Sequence, residues 1–317
     1  MNPVLSLPIF STVISTLNCG LKFPYLPVLL FISACLLSLS AMPAKAADST
    51  PVWSSGSTAI YAIQDRPGEM PLSLFSGPAS EQERQKYFTN GVAPASINAF
   101  LVTINGKNFL VDTGFGTVAP GKSNLLPRLQ EMGISPDDIN AVLLTHMHMD
   151  HAGGLLSHKQ RVFPKAKIMV SKPELEYWLG LAQKEPGNAN AALVKTITEV
   201  YGTDISTPFV FGDSVLEGVT ALDAVGHTPG HTAFQFGVEG KKLLIVGDLV
   251  HAAALQFPLP QECASYDMDK SEAVQSRVKI LEMAAENNIP VLGMHIPLPG
   301  YGSVAKNGNG FTFTPIK

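Results

Sequence analysis

The segment His146-Met-His-Met-Asp-His151 is the feature that most restricts what this chain can become. A metal site needs several nitrogen and oxygen donors to converge, and in an extended stretch residues two apart project to one side. His146, His148 and Asp150 have that spacing, whereas His151 points differently, so one short loop can offer ligands to two adjacent cations. The loop follows Ala141-Val-Leu-Leu144, a fully apolar run that reads as a buried strand.

The rest of the chain supplies a scaffold of short elements. Strands are predicted over 58–63 and 97–104, with Asn105-Gly106 as a hairpin turn returning into 108–111. Helical spacing covers 125–132, 173–181, 191–201 and 271–287. Further strands are predicted at 167–170, 219–225, 233–237, 242–246, 291–293 and 311–314. The polar stretches 184–190 and 258–266 read as mobile loops beside the site. Strands interleaved with helices over one core imply an α/β layered domain, expected over residues 47–317.

Residues 1–46 read differently, with Lys22 and Lys45 as their only charged side chains. An apolar run from Phe23 to Met42 precedes Ala44-Lys-Ala46, which fits a signal peptide cleaved after Ala46 and a periplasmic or secreted protein without stable membrane insertion. A retained anchor, or lipidation at Cys35, is the alternative. Without the leader, 20 Lys and Arg (22 − 2) face 26 Asp and Glu, a net charge of −6. No basic cluster is present, which argues against a nucleic-acid partner and leaves a small molecule as the expected one. Of three cysteines only Cys263 lies beyond the leader, so no internal disulfide is expected. A homodimer is left open.

Further donors stand at the ends of apolar runs: His231 after Gly226-His-Thr-Pro-Gly230, Asp248 after Leu243-Leu-Ile-Val-Gly247, and His295 after Val291-Leu-Gly-Met294. With Val111-Asp-Thr-Gly114 upstream, this order resembles the metallo-β-lactamase superfamily. That resemblance implies an αββα sandwich, two mixed β-sheets flanked by helices, carrying its metals between the two sheets. It further implies His146, His148 and His231 on a first metal, and Asp150, His151 and His295 on a second. Asp248 would bridge two divalent ions, zinc being expected, that activate a shared hydroxide. Asp150 and Asp248 are the expected catalytic residues. His227 reads as a supporting histidine, His251 as a core or surface one, and Asp112 as a carboxylate capping its own turn or backing the metals.

The antibiotic-degrading branch has Cys where this chain has Asp248, so β-lactamase activity is only an alternative. Glyoxalase II carries a helical C-terminal domain with no counterpart after His295. The pattern is most similar to methyl parathion hydrolase-like and acyl-homoserine-lactone lactonase-like enzymes, which implies cleavage of an ester, lactone or phosphoester. A mononuclear iron persulfide dioxygenase, needing only the three first-site histidines, is the other alternative. Phe115, Trp178, Phe257 and Tyr301 are the expected pocket residues.

Overall fold

Asn105-Gly106 turns the chain as predicted, with φ of 50° and 75° at the two central residues. Such positive φ values are what a tight hairpin between right-twisted strands requires. The turn joins Val92–Ile104 to Lys107–Val111. Val92–Ile104 also pairs along its length with Thr58–Pro71, and these strands reach 13 and 14 residues, well past the expected bounds. The structure, a computed structural model, describes residues 50–316 apart from 120 and 206–207. The expected leader, its cleavage site and Cys35 lie outside the described residues.

One six-stranded sheet runs in the order Trp53–Ser55, Thr58–Pro71, Val92–Ile104, Lys107–Val111, Ile139–Leu143 and Lys167–Met169. A seven-stranded sheet is ordered Ser214–Leu216, Val219–Asp223, Thr232–Val238, Lys241–Ile245, Val291–Leu292, Tyr301–Asn307 and Gly310–Pro315. Each sheet mixes antiparallel hairpins with parallel pairs. Tyr301–Asn307 escapes the sequence reading because only Gly302 and Val304 are buried along it, too weak an alternation to register.

The side-chain period of two decides the layers. Phe100, Val102, Phe109, Val111 and Leu143 face Phe234, Phe236, Leu243, Ile245 and Leu292 in a core between the sheets. Their neighbours Leu101, Leu110 and Val142 point outward against Leu129, Trp178, Val194 and Ile197 of three helices. On the opposite side Leu244, Val246 and Val291 pack on Ile280, Leu281 and Ala284 of the Lys270–Glu286 helix. Helix, sheet, sheet and helix therefore stack in the expected αββα order. Truncating a buried Phe such as Phe234 to Ala is expected to cost about 3–5 kcal/mol.

The parallel pairs place the chemistry. Val111 pairs with Leu143, and Ile245 with Leu292, so these strands end together, two on each sheet. Asp112, Thr145-His146, Asp248 and His295 each follow one of these ends within a few residues. Loops leaving parallel strands at their carboxyl ends form a natural crevice. Among the described residues no helix is long and apolar enough to cross a membrane.

Candidate metal centre

Three ring nitrogens meet at one point. His146 Nε2 lies 2.9 Å from His148 Nδ1, which lies 3.0 Å from His227 Nε2, and the triangle closes at 3.2 Å. Hydrogen bonds on the far sides of two rings fix what they present. The Thr145 hydroxyl donates to Asp112 (2.7 Å), so it accepts from His146 Nδ1 (3.1 Å) and leaves Nε2 with a lone pair. His227 Nδ1 donates to Asp267 (3.0 Å), with the same result. Lone pairs aimed at one another repel unless a cation lies between them.

A second group stands beside the first. His151 Nε2 is 3.4 Å from Asp150 and 3.3 Å from Asp248 Oδ1, and His295 Nε2 is 3.4 Å from Asp150 and 3.1 Å from Asp248 Oδ2. His151 Nδ1 donates to Asp112 (2.7 Å) and His295 Nδ1 to the Ser96 carbonyl (2.8 Å), so in the neutral form of each ring Nε2 offers a lone pair. Asp248 also touches the first group, 3.3 Å from His227 and 3.7 Å from His146. His151 Nε2 and Asp248 Oδ1 are buried without any hydrogen-bond partner. Buried polar atoms are rarely left so, and imidazole with carboxylate is a donor set for divalent cations. The residues fit metal ions.

His231, expected as a first-site ligand, is not among these donors. Its Nδ1 donates to the Ala224 carbonyl (2.8 Å), and its Nε2 accepts from the Asp248 amide (2.9 Å). Both nitrogens are used, so the ring supports the Asp248 turn from beneath while His227 takes the place predicted for it. Of the two readings of Asp112 the structure favours the one that backs the metal loop, since it caps no amide of its own turn. Its carboxylate binds the Thr145 amide (2.8 Å) and hydroxyl and His151, tying the metal loop down. Gly154 lets this loop close, because a Cβ there would strike the Thr113 carbonyl oxygen.

Buried charges lock the loops together. Glu174 accepts from the Met147 amide (2.8 Å), Trp178 Nε1 (2.7 Å), the Thr228 hydroxyl (2.6 Å) and the Gly230 amide (3.0 Å), joining the loops that carry His146 and His227. Arg277, fully buried, reaches the Pro260 and Glu262 carbonyls, Leu249 and Asp267. It thereby holds the carboxylate that orients His227.

Charge separates the two groups. Burial pushes the His148 imidazole down to about 3, with His227 adding repulsion. Burial likewise holds His146 well below its usual range. Burial also disfavours the charged form of His151, but Asp248, Asp150 and Asp112 outweigh it and hold that ring well above the ordinary range.

The donors floor a cavity of about 630 Å³. Its walls include Met70, Leu74, Ile97, Phe115, Met149 and Tyr266; among the described residues its only acidic side chain outside the donor groups is Glu69, and no Lys or Arg lines it. Of the four expected pocket residues only Phe115 does. Trp178 is buried behind His148, ring centroids 5.5 Å apart. Phe257 stacks on Phe313 in the core, and Tyr301 packs against the core between the sheets.

A family model described as the metallo-beta-lactamase superfamily matches residues 92–289, more than half of the chain. The chain belongs to the metallo-beta-lactamase superfamily. Within that superfamily it is similar to the N-acyl homoserine lactonase AiiB of Agrobacterium fabrum (strain C58), at 25% identity over 68% of this chain and 84% of the relative. It is 24% identical to an N-acyl homoserine lactonase of Bacillus cereus, over 61% and 78%. Among solved structures it resembles AidC, a dizinc quorum-quenching lactonase, with a TM-score of 0.75, 27% identity, and 83% and 95% of the chains covered. The hydrolase AbOPH gives a TM-score of 0.75 at 29% identity, covering 84% and 96%. The protein is a metal-dependent hydrolase of this superfamily, as its relatives are.

Sequence reasoning missed Glu174, Asp267, Arg277 and most of the apolar wall. For His227 a signal existed: His231 directly precedes the strand Thr232–Val238 and is anchored with it, whereas His227 lies in the free loop before. Glu174 offered none, since an acidic residue in a first helical turn reads as a complement to the helix dipole.

Proposed function

We propose that this protein is a two-metal hydrolase of uncharged esters and lactones, with N-acyl homoserine lactones as the leading substrate class. The observation that carries it is the pair of donor groups sharing Asp248 under a largely apolar cavity that, among the described residues, no Lys or Arg lines. Each group counts four donors: His146, His148, His227 and Asp248 in one, Asp150, His151, His295 and Asp248 in the other. Zinc is the proposed metal, supported by the likeness to a dizinc lactonase. Bound divalent cations would supply Lewis acidity, making water a nucleophile near neutral pH and polarising a carbonyl oxygen.

The residues do the rest. Asp248 lies within reach of both groups and keeps them in register. Asp150, the more exposed of the two carboxylates, stands where a proton can be passed to the departing oxygen. Met70, Leu74, Ile97 and Phe115 can hold an acyl chain and exclude water. An anionic substituent away from the metals would meet Glu69 and no cation, which disfavours β-lactams and phosphodiesters. The iron persulfide dioxygenase alternative uses one donor group, and the completeness of the second speaks against it. Export and removal of residues 1–46 remain part of the proposal.

The test is a screen of the metal-replete protein against N-acyl homoserine lactones, aryl esters, phosphotriesters and β-lactams, alongside metal analysis. Lactone or ester turnover with two metals per chain is expected. One iron per chain with oxygen consumption, or turnover of β-lactams alone, would overturn the reading.

A further inference from the structure

Asp65 interrupts the long pairing of Thr58–Pro71 with Val92–Ile104. Gln64 faces Asn98 and Arg66 faces Ile97, so Asp65 is the extra residue of a β-bulge. Bulges re-aim side chains beside active sites. This one turns the fully buried Asp65 carboxylate onto the segment 114–125, where it accepts from the Phe115 (3.2 Å), Asn124 (3.0 Å) and Leu125 (3.3 Å) amides and from the Ser123 hydroxyl. Gly114 makes room for it, because a Cβ there would come within 2.5 Å of the carboxylate. Arg66 grips the same segment further along. Its guanidinium donates to the Gly116 (3.2 Å) and Ala119 (3.5 Å) carbonyls and stands 3.6 Å from Asp65. It also lies over the Phe115 ring, 4.8 Å from the centroid.

The gripped segment is a partition. Phe115 lines the cavity over the metal donors, whereas Gly116, Thr117, Ala119, Gly121 and Ser123 line a second cavity of about 370 Å³. With space on both sides, packing alone does not fix where the Phe115 ring stands. We infer that Arg66, seated by Asp65, is a positioning residue for substrate selection: it holds the Phe115 ring against the metal cavity and so sets how well a long acyl chain is bound. A wall that is ordered before the substrate arrives spares the ordering cost on binding. Each further methylene laid against it adds apolar burial, so the benefit grows with chain length. A planar guanidinium can stack on the ring and hold two carbonyls at once, which an ammonium group cannot.

The inference rests on the proposed hydrolysis of acyl homoserine lactones and esters, and wild-type turnover checks that reading first. A wild type that cleaves neither N-butanoyl nor N-decanoyl homoserine lactone, nor aryl esters of the same acids, would overturn the functional reading itself and the inference with it. Given turnover, Arg66→Met keeps an apolar stem and removes the forked donor. KM for the decanoyl substrate is expected to rise about five- to tenfold and for the butanoyl one less than about twofold, with kcat and metal content near wild type. Arg66→Lys should show a smaller rise of the same kind, and it carries the comparison if Arg66→Met does not fold. In a Phe115→Leu background the Arg66 substitution should add little further length dependence, because the ring it positions is gone. Unchanged KM, an equal rise for both chain lengths, a loss confined to kcat, or full additivity of the two substitutions would overturn the assignment.

Discussion

The two halves of the metal centre are built in opposite ways. In the first half one loop of six residues carries His146, His148, Asp150 and His151, all after a single buried strand. In the second, His227, Asp248 and His295 come from three loops and are brought together only by the pairing of Lys241–Ile245 with Val291–Leu292 and by buried side-chain anchors. A contiguous set advertises itself in sequence and is rigid by chain connectivity. A dispersed set depends on what holds each loop.

The sharpest way to break this comparison is Asp248→Ala, which removes the carboxylate of the dispersed half that both donor groups share. Activity is expected to fall about a thousandfold or more, with metal content dropping below two per chain by mass spectrometry. Retention of both metals and of turnover would show the halves to be independent.

Next in size is the contrast between two histidines of one motif. His227→Ala should lose metal, while His231→Ala should keep the donor set but lower the melting temperature. The latter leaves the Asp248 amide and the Ala224 carbonyl unpaired, at roughly 1–3 kcal/mol for each buried group. The reverse outcome would restore His231 as the ligand.

Asp267→Asn tests whether the dispersed half depends on its anchors. Removing the charge that orients His227 should weaken metal affinity about ten- to hundredfold, read by chelator competition. No change would place the orienting role elsewhere.

A smaller effect lies in acid. Burial holds the His231 imidazole down at about 3, against 6.5 in the unfolded chain. Between these values the unfolded chain takes up a proton that the folded one refuses, so this contribution is full above about 6.5 and lost as pH falls toward 3. Melting temperatures of the metal-free protein should therefore fall less steeply with acidification in His231→Gln than in wild type. Parallel curves would mean that His231 carries no such penalty.

The sequence by itself determined the layered α/β scaffold, because apolar periods of two and 3.6 recur at known lengths and Asn105-Gly106 has one good solution. It also determined that metal chemistry sits after Leu144, since four donors in six residues have few other uses. Only the tertiary structure chose between His227 and His231. Both occur in Gly226-His-Thr-Pro-Gly-His231, and the choice depends on which ring finds its hydrogen bonds satisfied by backbone groups. The cavity wall was likewise undecided: Met70 and Leu74 lie outside every predicted element and Ile97 reads as an ordinary strand residue, until the long pairing of Thr58–Pro71 with Val92–Ile104 and the turn after it place them over the donors. Periodicity is local and survives in one dimension. Which face of a loop meets which side chain depends on packing between segments far apart in the chain, and sequence spacing carries no trace of it.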